Sequence, residues 1–151
     1  MIALVQRVIE ASVIVESEVV GEIKSGLLVL LGIKQEDTME EASYLAAKVI
    51  NCRIFNNENG KMNLSLLDSE GDMLVVSQFT LHADTRHGNR PSFTDAAKPN
   101  DAERLYRYFI NECKSLIGHH RVMEGKFGAM MKIKLINEGP VTITIKSKNE
   151  N

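Results

Sequence analysis

The chain has 151 residues, of which 44% are hydrophobic and 25% charged, and its formal net charge is -2. The length is that of one domain, and the composition is that of ordinary globular proteins. The nearly neutral charge excludes a general electrostatic attraction to nucleic acid or membranes, although it does not exclude a local basic patch.

The cysteines and the amino terminus both indicate a cytosolic protein. Cys52 and Cys113 belong to no paired motif and fall on the apolar faces of predicted helices, so we expect two buried, reduced thiols. Residues 1–16 lack a basic leader and a cleavage site, and no window approaches the roughly 18 apolar residues of a membrane span. We therefore predict a cytoplasmic location.

The first half of the chain begins with strands. Residues 2–16 are rich in Val and Ile and predict a strand, and residues 18–33 predict a hairpin of two more. The second strand of that hairpin, Leu27 to Leu31, is continuously apolar and is expected to be covered on both faces. A capping box, Thr38-x-x-Glu41, then begins a helix over about residues 38–53, and a loop is expected at residues 56–63.

The second half alternates strands with one more helix. We predict a buried strand from Asp72 to Leu81 and two strands around residues 119–136 and 141–147. A second capping box, Asn100-x-x-Glu103, begins a helix that ends at Gly118. The whole pattern predicts an α+β fold, a mixed, strand-rich β-barrel-like sheet with two amphipathic helices. Residues 1–146 form one domain and residues 147–151 a polar tail.

Gly139-Pro140 interrupts the last strand-like stretch, "KLINEGPVTITIK". Pro donates no ladder hydrogen bond and Gly weakens a strand interior, so such a pair is normally confined to an edge or a bulge. One interpretation is a tight turn between two short strands. The other is that an exposed backbone is held there for a ligand.

No cofactor or metal site is predicted. His119 and His120 are adjacent, and adjacent side chains of a strand point to opposite faces, so the pair is not expected to chelate one ion. The chain also lacks the GxxxxGK[ST] and GxGxxG patterns of phosphate-binding loops.

Residues 77–93, "SQFTLHADTRHGNRPSF", leave a buried strand and enter a polar loop. Functional residues concentrate at such junctions. In an extended strand, however, Gln78 and Thr80 would share one face, and Ser77 and Phe79 the other, so a catalytic triad is poorly supported by spacing. The residues alone leave open a hydrolase, a binding site, or a core strand that ends in a polar loop.

The chain resembles the D-aminoacyl-tRNA deacylases, also called D-tyrosyl-tRNA deacylases. The resemblance rests on "MIALVQRV", "GLLVLLGI", "SQFTL", "RPSF", "FGAMM" and "LINEGPVT" and covers residues 1–146. It implies a homodimer that hydrolyses the ester between a D-amino acid and the terminal adenosine of tRNA, and glycyl esters of mischarged tRNA as well. A non-catalytic RNA-binding module is the alternative.

The resemblance also implies roles for the "NEGP" motif. Gly139 and Pro140 are expected to be joined by a cis peptide bond and to reach across the dimer interface, where their backbone excludes L-amino acids. Arg7 is expected to hold the motif in orientation, and Asn137 is placed with the substrate-binding residues. Glu138 stands where the family often has Asp.

The remaining site residues follow from "SQFTL" and the segments around it. Ser77, Gln78, Phe79 and Thr80 are implied as the catalytic segment, with a backbone amide near Phe79 as oxyanion donor. Phe127 and Met131 are expected to line the adenosine side or to pack in the core. Arg86, Arg90 and Lys98 are expected to meet tRNA phosphates or to be solvated. His82 departs from the small or apolar residue that is more frequent at its position, and a histidine beside the site is a candidate general base.

Overall fold

The computed structural model describes residues 1–149. Within them the chain forms eight strands: β1 (Ile2–Val15), β2 (Glu18–Ile23), β3 (Gly26–Gly32), β4 (Phe55–Asn56), β5 (Met62–Leu64), β6 (Asp72–Ser77), β7 (Val122–Glu124) and β8 (Lys132–Lys146). It also forms three α-helices and two 3₁₀ turns: α1 (Met39–Asn51), α2 (Leu66–Ser69), α3 (Pro99–Ile117), and the turns Phe79–His82 and His119–Arg121.

Strand β1 organises a six-stranded mixed sheet. Along one edge of β1, β3 pairs with its first half and β2 with its second half, and β8 pairs along the other edge. All three of these pairs are antiparallel, whereas the pairs β3–β6 and β6–β7 are parallel. The sheet curls so far that β2 meets β7: a Cβ added to Gly21 would lie 2.7 Å from the carbonyl oxygen of Glu124. The predicted α+β class and mixed, barrel-like sheet are confirmed.

Two apolar clusters stabilise the two faces of this sheet. The first packs α1 and α3 on alternate residues of β3 and β6, such as Val29 and Val75. The second lies inside the curled sheet and consists of Val8, Ala11, Val13, Val15, Ile23, Leu28, Leu74 and Val76. Because β3 contributes to both clusters, the expectation that its apolar run is covered on both faces is confirmed.

The helix starts divide into one confirmed prediction and one wrong one. At α1, the Thr38 hydroxyl accepts from the backbone N–H of Glu41 and the Glu41 carboxylate accepts from that of Thr38, as the capping box predicts. Helix α3 instead begins at Pro99, with Lys98 as its N-cap and no side-chain cap. Pro suits the first helical position because its fixed φ matches the helix and its missing N–H needs no partner. The Asn100 capping box is therefore not formed.

The predicted strand from Asp72 to Leu81 is too long. Strand β6 ends at Ser77, opposite Leu31 near the end of β3, and the chain then enters the Phe79–His82 turn. A parallel strand needs a neighbour for its ladder, and β3 stops supplying one at Gly32. The assignment of Gln78 and Thr80 to one face of an extended strand is wrong for the same reason.

The carboxyl-terminal strands also differ from the prediction. Residues 119–136 contain a 3₁₀ turn, the short β7 and a loop, and only then β8 begins. Strand β8 is one long element that passes through Gly139-Pro140, so the tight-turn interpretation of that pair is wrong. His119 and His120 lie in the turn rather than on a strand, so the strand argument does not apply to them.

The loop and cysteine predictions are partly corrected. The segment 56–63 is not all loop, because its ends pair as β4 and β5, and α2 follows with a Ser65–Asp68 capping box. Cys113 is buried on α3 as expected, whereas Cys52 caps the end of α1 and is only half-buried. Both thiols are free, and burial raises the pKa of each.

The two ends of the described chain meet in the core. The buried amino-terminal ammonium of Met1 donates to Asp37 Oδ1 at 2.8 Å and to Ser147 Oγ at 2.9 Å. Ser147, the first residue of the polar tail, is thus packed against the domain, while residues 150 and 151 lie outside the described residues. Among residues 1–149, no helix is both long and apolar enough to cross a membrane.

Candidate active site

A groove of about 770 Å³ lies where β3 and β6 end. Its lining is mostly apolar and comes from four places: the ends of β3 and β6, the loop before α3, the start of α3, and the segment 127–133. The residues are Leu31, Ile33, Val76, Ser77, Gln78, Phe79, Phe93, Ala96, Ala97, Lys98, Pro99, Ala102, Phe127, Gly128, Ala129, Met130, Met131 and Ile133.

The first wall of the groove is the junction between β6 and the 3₁₀ turn. The backbone N–H of Gln78 donates to Leu31 O at 2.8 Å, which fixes the start of the turn on β3. The Gln78 side chain donates to the Thr80 hydroxyl, with 2.5 Å between Nε2 and Oγ1, and does not cap the turn. The first N–H groups of a helical turn have no partner inside it, so those of Phe79 and Thr80 are the backbone donors next to the groove.

The opposite wall is the segment from Phe127 to Met131. The Phe127 ring packs against the buried Tyr106 ring, with 5.5 Å between centroids. Tyr106 is in turn anchored because its hydroxyl donates to Val75 O at 2.8 Å, and burial raises its pKa. Helix α3 thereby ties the two walls together. Phe127 and Met131 both line the groove, and each also packs on a core cluster.

Exposed aromatic and apolar side chains surround the groove. Phe79 is 57% exposed and meets Phe93 edge-on, with ring centroids 5.1 Å apart, and Met130 is 90% exposed. Sequence reasoning had not singled out Phe93, Ala102 or Met130 as groove residues. The motifs "RPSF" and "FGAMM" contained the signal for Phe93 and Met130, whereas nothing local distinguishes Ala102 from other helix residues.

The Gly139-Pro140 peptide bond is cis and lies in a wide bulge of β8. Val8 pairs with Asn137 and Gln6 with Thr142, so Arg7 alone faces the residues from Glu138 to Val141. The Asn137 amide closes this bulge by donating to Arg7 O at 3.0 Å and to Val141 O at 2.9 Å. The exposed Gly139-Pro140 backbone is therefore held outward and lies outside the groove of its own chain.

The side chain of Arg7 holds the bulge in place. The side chain is buried, and its Nε donates to Glu138 O at 3.3 Å while its Nη1 donates to Ile54 O at 2.6 Å. The Glu138 carboxylate lies 3.5 Å from Nε, and Asn56 Oδ1 accepts from Nη1 at 3.4 Å. Arg7 thus connects the bulge to the chain that follows α1.

Of the three predicted tRNA contacts, the structure brings only Lys98 to the groove. Arg86 forms a two-pronged pair with Asp84, which holds the pKa of that carboxyl at about 2, well below its usual range. Arg90 is exposed in the same loop.

His82 does not line the groove. Its side chain is buried, and within the part of the chain that the structure describes its Nε2 has no hydrogen-bond partner. Among residues 1–149, no three His, Cys, Asp or Glu side chains form a group that would hold a metal ion.

The chain is similar to known proteins over almost its whole length. The family model described as "D-Tyr-tRNA(Tyr) deacylase" matches residues 4–146. A protein of Thermosipho africanus named D-aminoacyl-tRNA deacylase is 53% identical over 98% of both chains. A Bacillus cereus protein of the same name is 55% identical over 98% of this chain and 100% of its own length.

Two solved structures share the fold. One, described as a c-Myc DNA unwinding element binding protein, superposes with a TM-score of 0.93 at 40% identity, covering 97% of this chain and 99% of its own. The other, described as a probable eukaryotic D-amino acid tRNA deacylase, has a TM-score of 0.82 at 18% identity and covers 95% and 97% of the two chains, so it supports the fold alone. With its full-length similarity to the curated relatives, the chain belongs to the D-aminoacyl-tRNA deacylase family.

Proposed function

We propose that this protein hydrolyses the ester bond of D-aminoacyl-tRNA and releases the D-amino acid and free tRNA. The observation that carries the proposal is the 53% identity, over almost the whole length of both chains, to a protein named for that activity. The groove supports it because its walls are the segments "SQF" and "FGAMM", which also carry the sequence resemblance.

The ester is attacked with help from backbone groups of the Phe79–His82 turn. Hydrolysis passes through a tetrahedral oxyanion, and donors fixed in advance near that oxygen lower the barrier. The N–H groups of Phe79 and Thr80 suit this role because no side chain caps them. Gln78, at the start of the turn, orients the substrate, and Ser77 shapes the wall beside it.

The substrate supplies a further reactive group. The ribose 2′-hydroxyl lies next to the ester, and a group held so close assists cleavage by proximity. The protein then needs to orient the ester and stabilise the oxyanion. This requirement fits a groove whose lining is mostly apolar and whose wall holds the backbone donors of the Phe79–His82 turn.

The active assembly is a homodimer in which Gly139-Pro140 reaches the groove of the partner. The chain from Met131, in the groove, to Gly139 is extended, and at about 3.3 Å per residue it spans roughly 26 Å. The exposed bulge therefore has no access to its own groove along this strand. A second copy related by a two-fold axis would bring each bulge to the other groove, as isologous contacts do.

Across that interface the Gly139-Pro140 backbone acts as the chiral filter. A rigid backbone beside the α-carbon of the substrate leaves room for a hydrogen but not for a side chain, so L-amino acids are rejected by collision. Glycine carries hydrogens in both positions and passes the same filter. Glycyl-tRNA is therefore a second substrate class. Arg7 and Asn137 act by positioning the bulge.

The test is a comparison of D-tyrosyl-tRNA, L-tyrosyl-tRNA and glycyl-tRNA under identical conditions. We expect rapid deacylation of the D-tyrosyl and glycyl esters and none of the L-tyrosyl ester above the spontaneous rate. Equal cleavage of the two tyrosyl esters would refute the chiral filter, and cleavage of neither would refute the activity.

A second candidate function is nucleic-acid binding without catalysis. The description of the 40% identical structure as a c-Myc DNA unwinding element binding protein favours it. The same three substrates separate the two functions, because a pure binding module would bind tRNA while leaving all three esters intact.

A further inference from the structure

A second cavity, of about 350 Å³, adjoins the groove and has no role in the mechanism above. The two spaces share Ala97 and Lys98 as a common wall, at the start of α3. On its far side the cavity is bounded by residues 34–37, and on its other side by the first two turns of α3. An RNA strand whose last nucleotide occupies the groove has a continuous path past Lys98 into this cavity.

The charges around the cavity suit a phosphodiester. Lys34, Lys98 and Arg104 line it, and Arg104 pairs with Asp101 at 4.0 Å between two largely exposed side chains. Such an exposed pair is weak and easily exchanged for another anion. Asp37 adds little negative charge to the cavity, because its buried carboxylate accepts from the Met1 ammonium and from the backbone N–H of Lys34.

We infer that this cavity receives the nucleotide that precedes the terminal adenosine of the tRNA, with Lys98 and Arg104 at its phosphates. The inference rests on the proposed function and extends the binding site by one nucleotide. In tRNA this nucleotide is a cytidine, and carboxylates accept hydrogen bonds from the amino group of cytosine. Glu36 and Asp101 line the cavity and provide such acceptors.

The experiment compares two substrates that differ only in the nucleotides that precede the terminal adenosine. One is the 3′ D-tyrosyl ester of adenosine, and the other is the same ester of the trinucleotide CpCpA. For Arg104→Ala, we expect kcat/KM to fall about tenfold with the trinucleotide, as for loss of one charge-assisted hydrogen bond, and to stay unchanged with adenosine. The matched control is Arg107→Ala on the same helix, which removes an exposed arginine outside the cavity and is expected to alter neither rate.

A neutral linkage isolates the phosphate. When the phosphate between the terminal adenosine and the preceding cytidine is replaced by a methylphosphonate, Arg104→Ala and the wild type are expected to act at equal rates. Equal loss of activity toward both esters in Arg104→Ala, or no loss toward either, would overturn the subsite.

Binding of unacylated CpCpA gives a readout that does not depend on hydrolysis. We expect Arg104→Ala to weaken CpCpA binding about tenfold while leaving adenosine binding unchanged. A wild-type chain that binds CpCpA in this way but cleaves neither ester would contradict the proposed function and leave the subsite supported. Unaltered CpCpA binding in Arg104→Ala would overturn the subsite whatever the activity.

Discussion

The Thr80 hydroxyl accepts a hydrogen bond from the Gln78 amide at 2.5 Å. An amide N–H cannot take a proton from a hydroxyl, so this contact holds Thr80 without activating it. A threonine nucleophile needs an adjacent base, and the nearest histidine along the chain, His82, is buried without a partner at Nε2 among the described residues. At the scale of single residues, Thr80 therefore helps to shape the turn.

We predict that Thr80→Ala keeps activity within about tenfold of the wild type, because it removes one hydrogen bond rather than the attacking group. The paired measurement uses a substrate ending in 2′-deoxyadenosine with the D-tyrosyl ester on the 3′ oxygen. We expect its cleavage by the wild type to be slower by at least roughly a hundredfold, because the assisting hydroxyl is gone. A trapped acyl-Thr80 intermediate would contradict this prediction. So would an inactive Thr80→Ala variant together with rapid cleavage of the deoxy substrate by the wild type.

The backbone conformation of Gly139 is one that only glycine adopts easily. Its φ is +123, and an added Cβ would lie 2.8 Å from Val141 Cγ2 and 3.0 Å from Arg7 Nη2. Only glycine adopts such a conformation without strain. An alanine would both strain the chain and push the bulge away from Arg7.

We predict that Gly139→Ala folds with a stability loss of about 1–3 kcal/mol and deacylates D-tyrosyl-tRNA on the order of a hundredfold more slowly, because the bulge is displaced. The control is Gly60→Ala in an exposed loop, where φ is +72 and an added Cβ meets no atom within 4 Å. It also places an alanine at positive φ but does not touch the bulge, so its rate should be normal. Thermal unfolding separates the two effects, and an unchanged rate in Gly139→Ala would rule out the bulge as the chiral filter.

At the scale of elements, two side chains hold the bulge of β8 in place, Asn137 of β8 itself and Arg7 of β1. Asn137 bridges the two ends of the bulge with both hydrogens of its amide nitrogen, and Arg7 ties it to the segment after α1. The strand pairs with β1 on either side of the bulge, with a further register shift between Val8 and Glu10. The bulge is therefore a defined feature of the strand, which aims one backbone segment outward while the rest stays paired.

We predict that Asn137→Asp lowers the free energy of unfolding by about 2–4 kcal/mol, because two hydrogen bonds are lost and a carboxylate then faces two carbonyl oxygens. The matched control is Asn56→Asp. Asn56 uses its oxygen to accept from Arg7, so a carboxylate preserves the contact, and we expect a change within about 0.5 kcal/mol. Urea unfolding of the two variants measures the difference, and equal stabilities would argue against the bridging role of Asn137.

The elements that sequence predicts well are those whose signals are local. The Thr38 capping box and the apolar run of β3 depend on neighbours in the chain, and both are found as expected. The end of β6 and the continuity of β8 depend on where β3 stops and on how Arg7 fills the bulge. Such partners lie far away in sequence, so local patterns mispredicted both.

The same division applies to the site. The segment from Ser77 to Phe79 and the residues Phe127 and Met131 follow from family motifs, and the structure brings them into one groove. Ala102 joins that groove only because α3 packs across β6 through Tyr106. Arg86, which was expected to contact the tRNA, is instead paired with Asp84. This pairing depends on a loop geometry that the sequence pattern does not specify.

At the scale of the whole molecule, two surfaces suit an interface between copies. The Gly139-Pro140 bulge is exposed and lies outside its own groove, while the groove is open and rimmed by exposed Phe79 and Met130. Exposed apolar residues also lie on neighbouring strands, with Ile9 46% and Ile136 48% exposed. Apolar patches of this kind mark contact surfaces, and a dimer would cover them while completing both grooves.

We predict that two inactive variants restore activity in a mixed dimer. Gly139→Ala has an intact groove and a displaced bulge, whereas Ala102→Phe has an intact bulge and a groove filled by an aromatic ring. Ala102 faces a groove with ample room, so the larger side chain should be accepted without unfolding the chain.

If the bulge acts across the interface, a mixed dimer contains one site built from the intact groove of one chain and the intact bulge of the other. Its second site carries both defects. Mixed dimers isolated with two different tags should therefore have about half the activity of the wild type, because one of two equivalent sites is intact. A bulge that served its own chain would leave every site in the mixed dimer with one defect, and no activity would return. Sedimentation of the wild type completes the test, since a monomer that is fully active at micromolar concentration would exclude a shared site.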